Sequence, residues 1–117
     1  MAADMVRDVT QSVWSALGPG YSESVYHNAM EVALRKRGIP YETERIIPVS
    51  YDGHNVGNVR ADIIIDNKIV IEIKSVSRMT DQFRTQIQKY MELTKCKEGY
   101  LINFPTSDSV VQIEYIA

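Results

Sequence analysis

The sequence has little cysteine, no long apolar run and no excess of charge of one sign. Its single cysteine, Cys96, excludes an internal disulfide and cannot by itself form a zinc site. The longest apolar stretch is interrupted by Asp66, Lys68 and Glu72, so no segment reaches the roughly 18 residues that a membrane span needs. The N-terminal residues also lack the apolar core of a signal peptide. We therefore expect an intracellular protein, cytoplasmic or nuclear, that is not secreted and has no membrane partner.

The charge balance argues against a protein that grips nucleic acid through a generally basic surface. The chain carries 13 Lys and Arg against 15 Asp and Glu, a formal net charge of −2. This balance does not exclude an enzyme that acts on nucleic acid, because a local basic cluster or a bound cation reverses the field where it matters. The 117 residues, 44% of them apolar and 24% charged, are typical of a globular protein. We expect residues 1–117 to form a single domain.

The spacing of apolar residues predicts three helices and five strands. Helices are expected over about residues 4–17, from Ser22 to Gly38 and over about residues 80–95. The apolar stripe of the second helix comprises Val25, Tyr26, Ala29, Met30, Ala33 and Leu34. Stretches rich in β-formers predict strands at residues 42–51, 56–65, 68–74, 99–104 and 110–116. The order α-α-β-β-β-α-β-β predicts an α/β protein of the α+β kind, with a small mixed sheet flanked by helices.

The predicted hairpin around residues 66–68 is the most informative feature of the sequence. A three-residue loop there sets Asp62 opposite Glu72 and Arg60 opposite Lys74. In that register one face carries only apolar side chains, namely Ala61, Ile63, Ile65, Ile69, Ile71 and Ile73. A two-residue loop would mix apolar and charged side chains on both faces. The pattern therefore selects its own register.

Asp62 and Glu72 form a pair of facing carboxylates that favours a bound cation. Like charges directly opposite on paired strands are destabilising by up to roughly 1 kcal/mol. Two oxygen ligands with no accompanying His or Cys suit Mg²⁺ or Mn²⁺ rather than zinc. Lys74 projects to the same side, where its ammonium is able to orient or deprotonate an attacking water or to neutralise a phosphate. These groups suit hydrolysis of phosphodiesters. A solvated charged face of the hairpin is the alternative on this spacing alone.

The acidic hairpin resembles the motif of a known enzyme superfamily. Asp62, Glu72 and Lys74 resemble the PD-(D/E)XK nuclease motif, with Ala61 at the position of its nominal proline. The segment Gly20-Tyr-Ser-Glu23-Ser-Val-Tyr26 is similar to the signature of the GxxExxY proteins, a branch of that superfamily. Further similarities lie in Leu34-Arg-Lys-Arg-Gly-Ile-Pro40, in Arg60-Ala-Asp62 and in Leu101-Ile-Asn-Phe104. The resemblance implies a restriction-endonuclease-like αβββαβ core with an extra N-terminal helix and an extra C-terminal strand.

The resemblance also implies a metal-dependent site. Glu23, on the helix that precedes the strands, completes the carboxylate set of Asp62 and Glu72 around one divalent cation, Mg²⁺ or Mn²⁺. We expect the carbonyl of Ile73 as a further ligand. With Lys74, the three acids are the expected catalytic residues.

Three further residues are expected to lie near the acids. Gln86 and Tyr90 resemble the QxxxY motif of exonuclease-like members, and their spacing of four places them on one helix face, able to contact phosphate, substrate or the water shell of the metal. For Tyr90 the alternative is that it fills the core stripe with Phe83 and Ile87. His27 is expected to be a surface residue or to border the site rather than to bind metal.

The resemblance implies a metal-dependent nuclease that acts on nucleic acid, with DNA favoured over RNA. One alternative is a non-catalytic module that binds nucleic acid and has kept only the fold. The intact set of acids and lysine argues against it, because a decayed site usually loses one of them first. The other alternative is a nuclease-like module that acts only with a partner or as a homodimer. The small size of the chain keeps that alternative open.

Overall fold

The computed structural model describes residues 2–107 and 110–117, which contain three helices and one five-stranded sheet. The elements are α1 (Ala2–Leu17), α2 (Glu23–Lys36), β1 (Tyr41–Tyr51), β2 (His54–Ile65), β3 (Ile69–Lys74), α3 (Asp81–Thr94), β4 (Glu98–Asn103) and β5 (Gln112–Ile116). The predicted order of elements and the mixed α+β architecture are confirmed. None of the described helices is long and apolar enough to cross a membrane.

The sheet has the strand order β1-β2-β3-β4-β5. Strands β3 and β4 are parallel, and the other neighbouring pairs are antiparallel. Helix α3 connects the two parallel strands, as a parallel pair requires a crossover. Strand β3 therefore lies in the middle of the sheet, and its run Ile69–Ile73 is buried throughout, as expected for a strand that is covered on both faces.

Helices α1 and α2 cover one face of the sheet. Their buried side chains include Val6 and Val9 of α1 and Met30 and Leu34 of α2, all at helical spacing. They pack in one cluster with five isoleucines of β2 and β3, namely Ile63, Ile65, Ile69, Ile71 and Ile73. Val25, predicted for the buried stripe, is exposed instead. The stripe runs along Tyr26, Met30 and Leu34, so Val25 falls at its margin in the first turn of α2.

Helix α3 covers the opposite face of the sheet. Its buried residues Ile87, Tyr90 and Met91 cluster with Ile64 of β2 and Val70 of β3. The two faces of β2 and β3 thus carry separate apolar clusters. Among the charged residues of the hairpin, Glu72 is buried, whereas Asp62 and Lys74 are half-buried.

The β2–β3 register predicted from the isoleucine pattern is confirmed. Ile65 pairs with Ile69, and Ile63 pairs with Ile71. Ile63, Ile65, Ile69, Ile71 and Ile73 all belong to the cluster that faces α1 and α2.

Two details of the predicted hairpin are wrong. Ala61 packs in the cluster on the α3 side, whereas the five isoleucines predicted to share its face pack on the side of α1 and α2. Arg60 does not lie opposite Lys74, since the β2–β3 ladder ends at Ile63 and Arg60 pairs in register with β1. The physical reason is a kink in β1, because Glu44 has a φ of 52° and the β1–β2 pairing skips the position of Glu44. This kink breaks the simple alternation of side chains between the faces.

Beyond this kink, β1 and β2 continue as a two-stranded arm. Only the inner end of β2 pairs with β3, so residues 46–59 are paired within the arm alone. Tyr51 and Val56 near the tip are exposed, and the register shifts between Val49 and Ser50. The outer side of β1 borders no other strand of the sheet.

Candidate active site

Asp62 and Glu72 meet at the point where β2 and β3 separate. The main-chain N–H of Asp62 donates to Oε2 of Glu72 at 2.8 Å. The main-chain N–H of Ile73 donates to Oδ2 of Asp62, also at 2.8 Å. Each carboxylate thus accepts a main-chain hydrogen bond across the gap that opens after the Ile63–Ile71 pair. The structure therefore brings the two acids of the predicted site together and holds both in defined orientations.

Burial makes both carboxyl groups difficult to ionise. Glu72 is only 3% exposed, and this burial, together with the negative charge of Asp62, raises the pKa of Glu72 to about 8. Burial also raises the pKa of Asp62, against the hydrogen bond from Ile73 and the positive charges of His27 and Lys74. In both acids the effect of burial outweighs that of the nearby positive charges, so the ionised pair is unfavourable without a further cation.

Lys74 extends from the end of β3 toward α3. Its Nζ lies 3.2 Å from Oε1 of Gln86 and 4.7 Å from the centroid of the Phe83 ring. The positive charge of Lys74 partly opposes the rise in the pKa of Asp62 and of Glu72, so the ammonium is within electrostatic reach of both acids. The sequence placed Phe83 only in a core stripe, and its cation–π contact with Lys74 has no signal in the local pattern.

Gln86 and Tyr90 lie on the face of α3 that is turned toward the site. Gln86 accepts a hydrogen bond from Lys74, as described above. Tyr90 is 7% exposed and packs with Ile87 in the cluster under α3, as one of the two alternatives for it expected. Its pKa is raised by burial first, and then by the negative charges of Glu72 and Asp62. Tyr90 is thus a core residue whose hydroxyl lies within electrostatic reach of the two acids.

Glu23 begins α2 and lines a cleft of about 540 Å³ together with Asp62. The other lining residues are Ser24, His27, Asn28, Glu44 and Arg60. The negative charge of Glu23 contributes to the raised pKa of Glu72. Glu23 therefore lies near the two acids, on the side opposite to α3.

The position of Glu23 follows from how Tyr26 anchors the start of α2. The Tyr26 hydroxyl donates to the carbonyl of Gly18 at 2.6 Å and accepts the N–H of Tyr21 at 3.3 Å. Its fully buried ring stacks on Phe104, with ring centroids 4.5 Å apart. The bend between α1 and α2 is thereby tied to the core. Tyr26 therefore fixes the turn that precedes Glu23.

His27 borders the site, as expected, but it is buried and engaged in a polar network. Its Nε2 lies 2.9 Å from Oε2 of Glu31 and 2.9 Å from Oγ1 of Thr43. The Thr43 hydroxyl lies 3.3 Å from the main-chain oxygen of Asp62. The spacing of His27 and Glu31 is a helical i,i+4 pair that the sequence displays, whereas Thr43 on β1 has no sequence signal that links it to them.

The donor set suits a hard divalent cation held by few protein ligands. Within residues 2–107 and 110–117, no three His, Cys, Asp or Glu side chains lie close enough together to hold a metal ion. Two carboxylates completed by water match the preference of Mg²⁺, which keeps much of its hydration shell. The raised pKa values of Asp62 and Glu72 fit the same conclusion, because a cation would relieve their repulsion. The contact that the structure shows for Ile73 involves its N–H, not the carbonyl predicted as a ligand.

The metal-free protein is expected to lose thermal stability as the pH rises from about 5 to about 9. The raised pKa of Glu72 means that the native state keeps a proton that the unfolded chain releases. The associated stability is fully present below the ordinary value of 4.5 and is lost as the pH passes about 8. Addition of Mg²⁺ or Mn²⁺ at pH 9 is expected to raise the Tm again, because the cation compensates the ionised pair. Melting curves in EDTA and in metal measure both effects.

Glu72→Gln is the matched control for this pH dependence. The amide keeps the volume and the oxygen that accepts the Asp62 N–H, but it does not ionise. The Tm of Glu72→Gln is therefore expected to vary less with pH above 5 and to respond less to metal. A parent Tm that rises across this pH range in EDTA contradicts the prediction.

Comparison with known proteins places the chain in a family. A family model described as the PD-(D/E)XK nuclease superfamily matches residues 2–115. No protein of curated function matches the sequence. A solved structure titled "Crystal structure of SSO0001" matches with a TM-score of 0.61 and 25% sequence identity, over 80% of this chain and 48% of the other. The present chain thus spans about half the length of that protein.

The fold agrees with the family match. A mixed five-stranded sheet with helices on both faces, in the order found here, is consistent with the restriction-endonuclease-like fold. The matched region includes every helix and every strand except the last residue of β5. The chain is therefore a member of the PD-(D/E)XK nuclease superfamily.

Proposed function

We propose that this protein is a metal-dependent nuclease that hydrolyses phosphodiester bonds in nucleic acid, with DNA favoured over RNA. Membership of the superfamily supports nuclease activity. The observation that supports the metal dependence is the exchange of hydrogen bonds between Asp62, Glu72 and the opposing strand, which holds the half-buried Asp62 carboxylate beside the buried Glu72 carboxylate. Burial raises the pKa of both groups although these hydrogen bonds lower it, so the ionised pair favours a bound cation.

Each residue of the site has a distinct proposed role. Asp62 and Glu72 would hold Mg²⁺ or Mn²⁺ directly. Glu23 and the carbonyl of Ile73 would supply further oxygen atoms, with Glu23 acting through the water shell of the cation because no third acidic side chain lies within direct reach among the described residues. When bound, the cation supplies Lewis-acid stabilisation of the charge that develops on the phosphate. Lys74 orients or deprotonates the attacking water, or neutralises the developing charge.

Gln86 and Tyr90 complete the site from α3. The Gln86 carbonyl oxygen accepts a hydrogen bond from Lys74 and so limits the positions of its ammonium. We propose that the remaining donor capacity of Gln86 and the Tyr90 hydroxyl serve to bind the phosphate backbone or the water shell of the metal.

We also propose that the chain belongs to the GxxExxY branch of the superfamily. Tyr26 anchors the turn before α2 through Gly18 and Tyr21, and this anchor places Glu23 at the edge of the cleft. The signature Gly20-x-x-Glu23-x-x-Tyr26 therefore joins one functional and one structural role, which supports the assignment.

A cleavage assay tests the proposed function. The purified chain is incubated with labelled single- and double-stranded DNA and RNA in Mg²⁺, in Mn²⁺ or in EDTA. We expect cleavage of at least one DNA substrate in the presence of metal and none in EDTA. Failure to cleave any substrate, together with binding that is independent of metal, favours the non-catalytic binding module instead.

A further inference from the structure

Asn103, at the end of β4, is a buried polar residue with no part in the site described so far. Its side chain is fully buried, and it lies in register with Lys74 on the neighbouring parallel strand. A buried amide is costly unless its hydrogen-bonding groups are paired. Here they are paired with the main chain of Val76, two residues beyond Lys74.

The Asn103 amide contacts both polar groups of the Val76 main chain. Its Oδ1 accepts the Val76 N–H at 2.9 Å, and its Nδ2 donates to the Val76 carbonyl at 3.0 Å. The Nδ2 also donates to Oε1 of Gln112 on β5 at 2.7 Å. The side chain thus continues the pairing of β3 with β4 past the last main-chain bond, in which the Phe104 N–H donates to the Lys74 carbonyl.

These contacts fix the segment that links Lys74 to α3. In the described chain we find two hydrogen bonds to residues 75–79, and Asn103 makes both of them. The same segment leads to Phe83 and Gln86, which contact the Lys74 ammonium. The direction in which the main chain leaves β3 therefore determines the position of the Lys74 Cα atom. It also determines the positions of Phe83 and Gln86, which contact the Lys74 ammonium.

We infer that Asn103 is a positioning residue for Lys74, whose amide holds the main chain at Val76 and so sets where the Lys74 ammonium stands relative to Asp62 and Glu72. This inference rests on the proposed nuclease function. A catalytic group that is displaced by about 1 Å can lose on the order of 100-fold in rate. Loss of the Asn103 amide is therefore expected to lower turnover without removing a ligand of the metal.

The test compares Asn103→Leu with the parent in steady-state cleavage. Leucine has a similar volume but none of the hydrogen bonds, and the half-buried Val76 main chain is able to bond to water instead. We expect kcat to fall by roughly 10-fold or more, while KM and the Kd for Mg²⁺ stay within about twofold of the parent. Asn103→Asp is the second variant, because it keeps the acceptor for the Val76 N–H but sets an oxygen against the Val76 carbonyl. It is expected to act in the same direction.

Gln112→Leu is the matched control. It removes one partner of the Asn103 amide but leaves both bonds to Val76, and Gln112 is exposed. Its kcat is expected to stay within about twofold of the parent, since only the bonds to Val76 direct the Lys74 segment.

A double-mutant cycle separates positioning from general stability. If Asn103 acts through Lys74, Asn103→Leu causes little further loss of kcat in a Lys74→Ala background. Three results would overturn this inference without affecting the proposed nuclease function. The first is a loss of kcat in the double variant equal to the product of the two single losses. The others are a raised Kd for Mg²⁺ and a parent-like kcat in a folded Asn103 variant. A parent that shows no metal-dependent cleavage overturns the proposed function first. If the double variant falls below detection, the comparison of kcat, KM and metal affinity in the single variants decides.

Discussion

Glu72→Ala is expected to abolish metal-dependent cleavage while the protein remains folded. The substitution removes one of the two adjacent carboxylates that are proposed as direct ligands, so the divalent cation is held more weakly and less well placed. It also removes a carboxyl group whose pKa is raised to about 8 by burial first and then by the negative charge of Asp62. In metal-free buffer near pH 9, the Tm is therefore expected to equal or exceed that of the parent. Cleavage rates in Mg²⁺ and melting curves in EDTA measure the two effects.

Glu92→Ala is the control for this experiment. Glu92 lies on the exposed side of α3, where its carboxylate pairs with Lys89 at 3.5 Å. Its removal is expected to leave cleavage unchanged and Tm within a few degrees of the parent, as is usual for an exposed ion pair. Retained cleavage in Glu72→Ala would refute its role as a ligand. A large fall in its Tm at pH 9 would show that Glu72 is structural.

Lys74→Ala is expected to lower kcat by roughly 100-fold or more, the scale on which one positioned catalytic group acts. If Lys74 acts on the attacking water or on the developing charge, its loss removes stabilisation that is specific to the transition state. Affinity for metal is expected to stay the same or to rise, because a positive charge near Asp62 and Glu72 has gone. Affinity for nucleic acid is expected to fall only slightly, as one phosphate contact among several would.

Measurements of metal binding, nucleic-acid binding and cleavage on Lys74→Ala distinguish catalysis from simple binding. Lys89→Ala, on the exposed side of the same helix that contacts Lys74, is the control for loss of one positive charge. The binding-module alternative expects no metal-dependent turnover in the parent and a loss of affinity that Arg35→Ala or Lys36→Ala share. If Lys74→Ala cleaved at the rate of the parent, Lys74 would have no role in the mechanism.

The elements that obey a local periodicity were predictable from the sequence. The isoleucines of β2 and β3 determine the register of the hairpin, because only one loop length keeps them on one face. The helices follow from the 3.6-residue spacing of their buried side chains. The observed ends of α2 and the start of α3 lie within two residues of the predicted Ser22, Gly38 and Thr80. Local pattern failed at Ala61, because the kink at Glu44 in the partner strand has no signal in the sequence around Ala61.

The site was predictable only where its residues share one element or one hairpin. The approach of Asp62 to Glu72 follows from the register, and the neighbourhood of Gln86 and Tyr90 follows from helix geometry. By contrast, the contact of Thr43 with His27 joins β1 to α2. Tertiary packing brings these two residues together, and no local pattern in a single sequence indicates that they are neighbours.

The amide of Asn103 is the clearest case of this limit. Its partner Val76 lies 27 positions earlier in the chain, so no local pattern joins the two. The sequence segment that contains Asn103 resembled the family, yet resemblance alone assigned it no role.

The arm formed by β1 and β2 also bears on how this protein avoids aggregation. Strand β1 is an edge strand of the sheet. The unpaired N–H and C=O groups of an edge strand are a template for strands of other molecules. Pro48 removes one donor from this strand, Glu44 kinks it and the register shift after Val49 interrupts it again. These three irregularities leave no long, flat stretch against which a foreign strand can align. The cleft can therefore remain open beside a solvent-exposed edge without that edge promoting fibril growth.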